Sequence, residues 1–232
     1  MNYGIIAAGE GSRLVQEGID VPKPLIPLNK TPMLRRLVDI FLKNNAESIS
    51  IVVNEEMTQV HDFLKSLHLP VPLHIVRKST PSSMHSFFEL KPYLSTGNFC
   101  LTTVDTIFKE DEFADYIHAF ECNSAEDGMF AVTSFIDDEK PLYIEVNAQD
   151  KITAFLDSTE NPQYISGGIY ALKPEKAFDV LEKCIHSGVF RMRNYQRELI
   201  KSGLSIRAHA FTKILDVDHA EDIKKAELFL TK

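Results

Sequence analysis

Several residues in this chain have the type and spacing to handle phosphate. The stretch IIAAGEGSRL (5–14) passes from an apolar run into a loop carrying Gly9 and Gly11. Glycines let the backbone take φ > 0 and let a ligand come close. Consecutive N–H groups in such a loop can form an anion-binding nest. Arg13 adds a planar, permanently charged fork suited to phosphate oxygens. After a gap of nine residues Lys23 stands between Pro22 and Pro24, a point charge on a stiffened segment. Acids that could hold a metal lie far downstream. Asp105 ends NFCLTTVD (98–105), and Asp216 and Asp218 lie in ILDVDHAEDIKKAE (214–227). Being two apart, the last pair would point the same way on a strand.

Two familiar phosphate loops fail on single residues. A Walker A loop needs GxxxxGK[ST]; Gly4 and Gly9 have the spacing, but Glu10 occupies the lysine position. A dinucleotide fingerprint needs GxGxxG; Gly9 and Gly11 match, but Leu14 replaces the third glycine and no clear helix begins there.

The elements that must position these residues alternate in the first half. Strands are expected at 3–8, 48–54, 73–78 and 98–105, with helices at 31–45, 58–67, 82–94 and 109–122. Thr31 is the expected N-cap of the first helix, with Pro32 at its first position. This rhythm predicts βαβ units and a mostly parallel sheet, with ligands beyond the C-terminal strand ends. The loops after residues 8, 78 and 104 should therefore meet. The second half is richer in strands (128–135, 141–147, 151–156, 164–172), then helices at 174–185 and 194–203, a strand at 205–211 and a helix at 220–230. The fold class is α/β: a three-layer, mostly parallel twisted sheet with helices on both faces.

The 232 residues allow one large domain or two small ones; without a linker or repeat, a single domain over 1–232 is the simplest reading. The chain is 44% hydrophobic and 25% charged, ordinary for a globular protein. A net charge of −8 argues against a broad nucleic-acid-binding face but leaves room for a local basic pocket. No apolar run is long enough to span a membrane, and no signal peptide is evident. Cys100, Cys122 and Cys184 are widely spaced and odd in number, as expected of reduced, mostly buried thiols in a cytoplasmic protein.

IIAAGEGSRL followed by VPKPLIPLNKTPML resembles the signature of the sugar-1-phosphate nucleotidyltransferases, strand–AAGxGxR–spacer–PKxLxPxxxxPxL. The match is dense over about the first 40 residues and thinner beyond. The resemblance implies a nucleotide-diphospho-sugar transferase-like fold, a nucleotide-binding half (1–122) and an acceptor-binding half with the closing metal motif (123–232). It implies an NTP and a phosphorylated sugar or alcohol as partners, pyrophosphate as product, and Mg²⁺ as cofactor. No nucleic-acid or membrane partner is expected, and the sequence sets no oligomeric state.

By that resemblance the backbone around Ala8, Gly9, Glu10 and Gly11 would hold the β- and γ-phosphates. Arg13 would bind the departing pyrophosphate and Lys23 the α-phosphate. Asp105 and one of Asp216 and Asp218, with Asp218 slightly preferred, would bind the metal. RKSTPSSMHSF (77–87) stands where the family has its nucleobase loop, placing Thr80 near the base. YISGGIYALKPE (164–175) resembles the strand bordering the acceptor, bringing in Gly167 and Gly168, and Glu145 stands where a family acid meets sugar hydroxyls.

Each position also has a plain structural reading: a glycine turn, Asp105 capping a turn, Asp218 capping the last helix, the glycine pair marking a β-bulge, Glu145 as an exposed strand residue. One departure bears on the acceptor. FLDSTENPQY (155–164) has no cation where many hexose-1-phosphate enzymes carry a lysine. Arg191, Arg193 and Lys213 are the replacement candidates, and the acceptor could then be phosphocholine or an inositol phosphate. The alternatives are a nucleotide-sugar-dependent glycosyltransferase, for which DVD (216–218) would serve as a DxD, and a non-catalytic nucleotide-binding relative.

Overall fold

The computed structural model describes residues 1–123 and 125–231. The opening strand β1 (Asn2–Ala7) leads through a short helix α1 (Ser12–Gln16), a 3-10 turn (Lys23–Leu25) and a small hairpin of β2 (Pro27–Leu28) and β3 (Thr31–Pro32) into α2 (Met33–Lys43). Then come β4 (Ser48–Val53), α3 (Thr58–Ser66), β5 (Leu73–Arg77), α4 (Ser83–Leu94), β6 (Phe99–Thr103), β7 (Thr106–Ile107) and α5 (Glu110–Cys122). The second half holds β8 (Gly128–Thr133), β9 (Tyr143–Val146), β10 (Ile152–Leu156), β11 (Tyr164–Leu172), α6 (Pro174–His186), α7 (Met192–Lys201), β12 (Ile206–Phe211), β13 (Leu215–Asp216) and α8 (Ala220–Thr231).

Two local expectations are corrected. A helix does begin behind the glycine loop: α1 starts at Ser12 with Gly11 as its N-cap. Thr31 does not cap α2; it pairs with Leu28 in the hairpin, and Pro32, at φ −53 and ψ 138, is the cap residue. A proline φ suits that extended entry as well as it suits a first helical turn.

Among the described residues one nine-stranded sheet runs through both halves. β6, β1, β4 and β5 are parallel neighbours; β11 joins β6 antiparallel and carries β8 and then β12 on its other side. β9 pairs with the start of β11 and β10 with β9, so only β10 and β11 run against the rest. Strand side chains alternate between two faces. Tyr3, Ile5 and Ala7 pack in one core with residues of α2, α3 and α5, while Ile6 packs in the other with residues of α4, α6 and α7. The helices thus lie on both faces. Between β8 and β11 the buried Tyr116 hydroxyl donates to the Met129 carbonyl at 2.6 Å and accepts from the Ala171 N–H at 2.7 Å.

A third, smaller core matters most for the site. It joins Leu14, Ile26, Leu28 and Met33 from the opening segment to Ile107, Leu215, Val217 and Ala226. Among the described residues no helix is long and apolar enough to cross a membrane. The cysteines are free; Cys100 and Cys184 are buried and Cys122 is exposed.

Candidate active site

The parallel strands β1, β5 and β6 end on one edge, and the loops that follow them meet there. Ala8, Gly9 and Gly11, Thr80, and Thr103 to Asp105 line a single cleft of about 420 Å³ together with Arg13, Lys23 and Asp218. That volume falls in the range of roughly 300–1,000 Å³ typical of small-molecule sites.

Lys23 is the centre of its charge network. Pro22, Pro24 and the 3-10 turn stiffen its backbone, and its side chain is only 9% exposed. The ammonium pairs with Asp105 Oδ2 and, at 2.7 Å, with Asp218 Oδ1. Burial by itself would push the lysine pKa down; Asp105 and Asp218 outweigh it and hold it above the ordinary value. Asp105 shows the complement. Burial opposes its charged form, but the Lys23 ammonium prevails and keeps its pKa below the usual carboxylate value.

Two features deliver Asp218 to Lys23. β13 pairs antiparallel with β7, setting Asp216 opposite Thr106 directly after Asp105, and the Val217 N–H donates to the Asp105 carbonyl. Val217 is fully buried in the third core, so its neighbours turn toward the clefts. The cap of α8 is supplied by others. Glu17 accepts from the Ala220 N–H at 2.6 Å and pairs with His219, while Asp222 accepts from the N–H groups of Asp218 and His219. Helix capping therefore does not account for Asp218.

Arg13 extends the network, reaching Asp218 Oδ2 at 3.3 Å and Glu139 at 3.4 Å. Of the two loop glycines, only Gly11 takes a positive φ, 64°; a Cβ there would lie 3.1 Å from Lys23 Cβ. Gly9 has no positive φ, contrary to expectation, and faces open space. Glu10 is exposed and lines a shallow recess next to the cleft with Asn54, Ser79 and Thr80.

Arg13 and Asp218 also border a second cleft, of about 280 Å³, with Asp216, Gly167, Asp137, Asp138 and Glu139 among its walls. Repulsion by Asp105, Asp138 and Asp218 raises the Asp216 pKa well above the carboxylate value. Asp216 is open to solvent, so like-charge crowding is the cause its surroundings support. At Gly167 and Gly168 β11 bulges: Ser166 pairs with Val132, and the register shifts before Tyr170 pairs with Phe130. A Cβ on Gly167 would stand 2.2 Å from Ile214 Cδ1, and Gly168 has φ 72. The bulge reading of this pair is thus correct.

The remaining acceptor-side residues are not gathered into these clefts. Glu145 is exposed on β9 and lines neither. Arg193 lies in a separate basic recess, committed to Asp157 at 2.7 Å and the Lys140 carbonyl; Arg197 grips the same carboxylate. Lys213 sits 4.0 Å above the Phe135 ring. Arg191 lines the basic recess with φ 72 and has no ion pair among the described residues.

Glu17 and Asp222, which free Asp218, and Thr103 went unread in the sequence; Ser82 and Ser83, expected as candidate caps of α4 within the nucleobase-loop stretch, line the first cleft with Thr103 and Ser86. The serine-rich run 82–86 was a usable signal; the Glu17 latch, 203 residues from Ala220, had none.

The chain resembles known proteins along most of its length. It is 25% identical over 209 residues to the bifunctional protein GlmU of Methanococcus maripaludis, covering 88% of this chain but 48% of that protein, so it spans about half the length of this relative. It is 22% identical over 196 residues to the D-glycero-alpha-D-manno-heptose 1-phosphate guanylyltransferase of Campylobacter jejuni, covering 83% and 86% of the two chains. In fold it matches the inositol-1-phosphate CTP transferase of T. maritima with a TM-score of 0.80 at 19% identity, over 99% of this chain and 97% of that one. A provisional glucose-1-phosphate thymidylyltransferase of Bacillus anthracis matches with a TM-score of 0.85 at 21% identity, over 99% and 94%. The profile of the MobA-like NTP transferase domain matches residues 4–168, which hold the glycine loop, Arg13, Lys23, Thr80, Asp105 and the glycine pair. The chain belongs to the MobA-like NTP transferase domain family.

Proposed function

We propose that this protein transfers a nucleotidyl group from an NTP to a phosphorylated sugar or alcohol and releases pyrophosphate. The observation that carries this reading is one cleft in which the glycine loop, Arg13, Lys23, Asp105 and Asp218 converge from both ends of the chain. The backbone from Ala8 to Gly11 borders the β- and γ-phosphates, and Arg13 binds the departing pyrophosphate. Lys23 binds the α-phosphate, and Thr80 lies by the base. The acceptor occupies the second cleft beside Gly167 and Gly168, and Arg191, in the basic recess that shares Glu139 with that cleft, is the candidate cation for its phosphate.

Asp105 and Asp218 fit a magnesium ion on donor chemistry, since two carboxylates already converge on one cation, and Mg²⁺ accepts one or two carboxylates plus phosphate and water. When bound, Mg²⁺ would offset negative charge on the phosphates. Asp216 lines the neighbouring cleft and is the second candidate. An acceptor phosphate oxygen forms the new bond to the α-phosphorus as the bond to the β-phosphate oxygen breaks. That phosphate is already ionised, so no general base is required, and positioning with charge stabilisation carries the catalysis.

The test crosses four NTPs with sugar-1-phosphates, phosphocholine and inositol phosphate, reading pyrophosphate. Release with one pair, abolished in a folded Asp105→Ala variant, supports the reading. A nucleoside diphosphate product from a nucleotide-sugar would replace it with the glycosyltransferase alternative.

A further inference from the structure

We infer that in the free protein the Lys23 ammonium stands in for the divalent cation, so that metal and lysine compete for Asp105 and Asp218 and the metal gains the site only together with a nucleotide. The inference rests on the reading of those two acids as cation ligands. Lys23 Nζ already bridges both carboxylates, and Arg13 holds the other oxygen of Asp218 at 3.3 Å. Two acids and two bases thus share one network, which Glu139 joins through Arg13 at 3.4 Å. The lysine cannot swing away cheaply. Its side chain is 9% exposed, its backbone lies between two prolines, and its Cβ packs under the glycine loop. A metal arriving alone would have to expel the ammonium from its partners and leave a buried cation unpaired, which is costly.

A nucleoside triphosphate changes this balance. Its phosphates offer Lys23 and Arg13 new anionic partners, which releases the carboxylates for the metal. Metal and nucleotide should therefore bind with positive, reciprocal coupling that passes through Lys23. The same lysine serves in succession as a placeholder for the metal and as a phosphate ligand.

Mn²⁺ binding followed by electron paramagnetic resonance tests this without turnover. Lys23→Met should bind Mn²⁺ in the absence of nucleotide at least about tenfold more tightly than the wild type, the low end of coupling between close charge pairs. A non-hydrolysable NTP should tighten Mn²⁺ binding more in the wild type than in the variant. If circular dichroism shows Lys23→Met unfolded, Lys23→Gln, whose amide can donate to one carboxylate, takes its place with the same expectation. Equal or weaker nucleotide-free Mn²⁺ binding by the folded variant overturns the competition. Asp105→Asn separates the two layers. If it loses nucleotide-dependent Mn²⁺ binding while Lys23→Met matches the wild type, the cation site stands and only the competition falls. If Asp105→Asn binds Mn²⁺ like the wild type, the cation site falls and the inference with it.

Discussion

Gly168→Ala separates a glycine required by the fold from one required by a ligand. Gly168 sits at φ 72, where an L-residue costs about 1–2 kcal/mol. A Cβ there would stand 3.0 Å from Thr106 Oγ1 and 3.8 Å from Thr103 Oγ1, two hydroxyls that hydrogen-bond each other at 2.7 Å. Thr106 is fully buried and flanked by paired strands, so it yields little, and crowding of this kind costs roughly 1–3 kcal/mol. Alanine returns about 0.4–1 kcal/mol by restricting the unfolded chain. The net expectation is a loss of about 2–3 kcal/mol, read as a shift of the urea midpoint at unchanged slope. In a Thr106→Ala background the crowding disappears, and the loss should fall to about 1 kcal/mol, the backbone share alone. A Gly168→Ala protein within about 0.5 kcal/mol of wild type, or an equal loss in both backgrounds, refutes the steric argument. A stable variant with a raised acceptor KM would assign the glycine to ligand approach instead.

Three further outcomes are expected. Tyr116→Phe should destabilise by about 2–4 kcal/mol in denaturant titration, because it strands the Met129 carbonyl and the Ala171 N–H between β8 and β11; a loss below about 1 kcal/mol would show that the strands close over the gap. Arg191→Gly should raise the acceptor KM about tenfold or more, the worth of a charge-assisted hydrogen bond, with no loss of stability, since relief at φ 72 offsets the added chain entropy; an unchanged KM with a lower melting temperature would remove Arg191 from the acceptor site. The pKa of Asp127 is lowered: burial opposes its charge, but the Ser205 N–H and the Lys176 ammonium prevail. The unfolded state then binds the proton first, so this stability is present above the ordinary carboxylate pKa of about 3.9 and is lost as pH falls through the lower folded value. The gap in melting temperature between wild type and Asp127→Asn should therefore narrow toward pH 3, and a gap constant with pH would contradict the assignment.

The alternation of strand and helix was legible because each element carries its own period. Val38 and Phe41 declare one buried face of α2, and Ile5 and Ile6 declare both faces of β1 buried, without reference to the rest of the chain. The short pieces were less legible. α1, β2, β3, β7 and β13 are two to five residues long, too short for a period, and form because neighbours supply their pairing. Thr31 looked like a helix cap for this reason; it pairs instead with Leu28, in a hairpin whose strands are too short to show a period.

The sequence by itself determined the loop chemistry, a lysine stiffened by two prolines, and an acid at the end of a strand. These depend on residue type and on neighbours a few positions away. Only the tertiary structure decided that Asp218, not Asp216, shares an ammonium with Asp105, and that Glu17 and Asp222 relieve Asp218 of capping duty. It likewise left Glu145 outside both clefts and committed Arg193 to Asp157. Lys23 and Asp218 are 195 residues apart, and their meeting depends on the β7–β13 pairing and on the small core around Val217. A long-range contact of this kind is set by apolar burial and strand register at a distance, for which no local spacing in the chain stands as a sign.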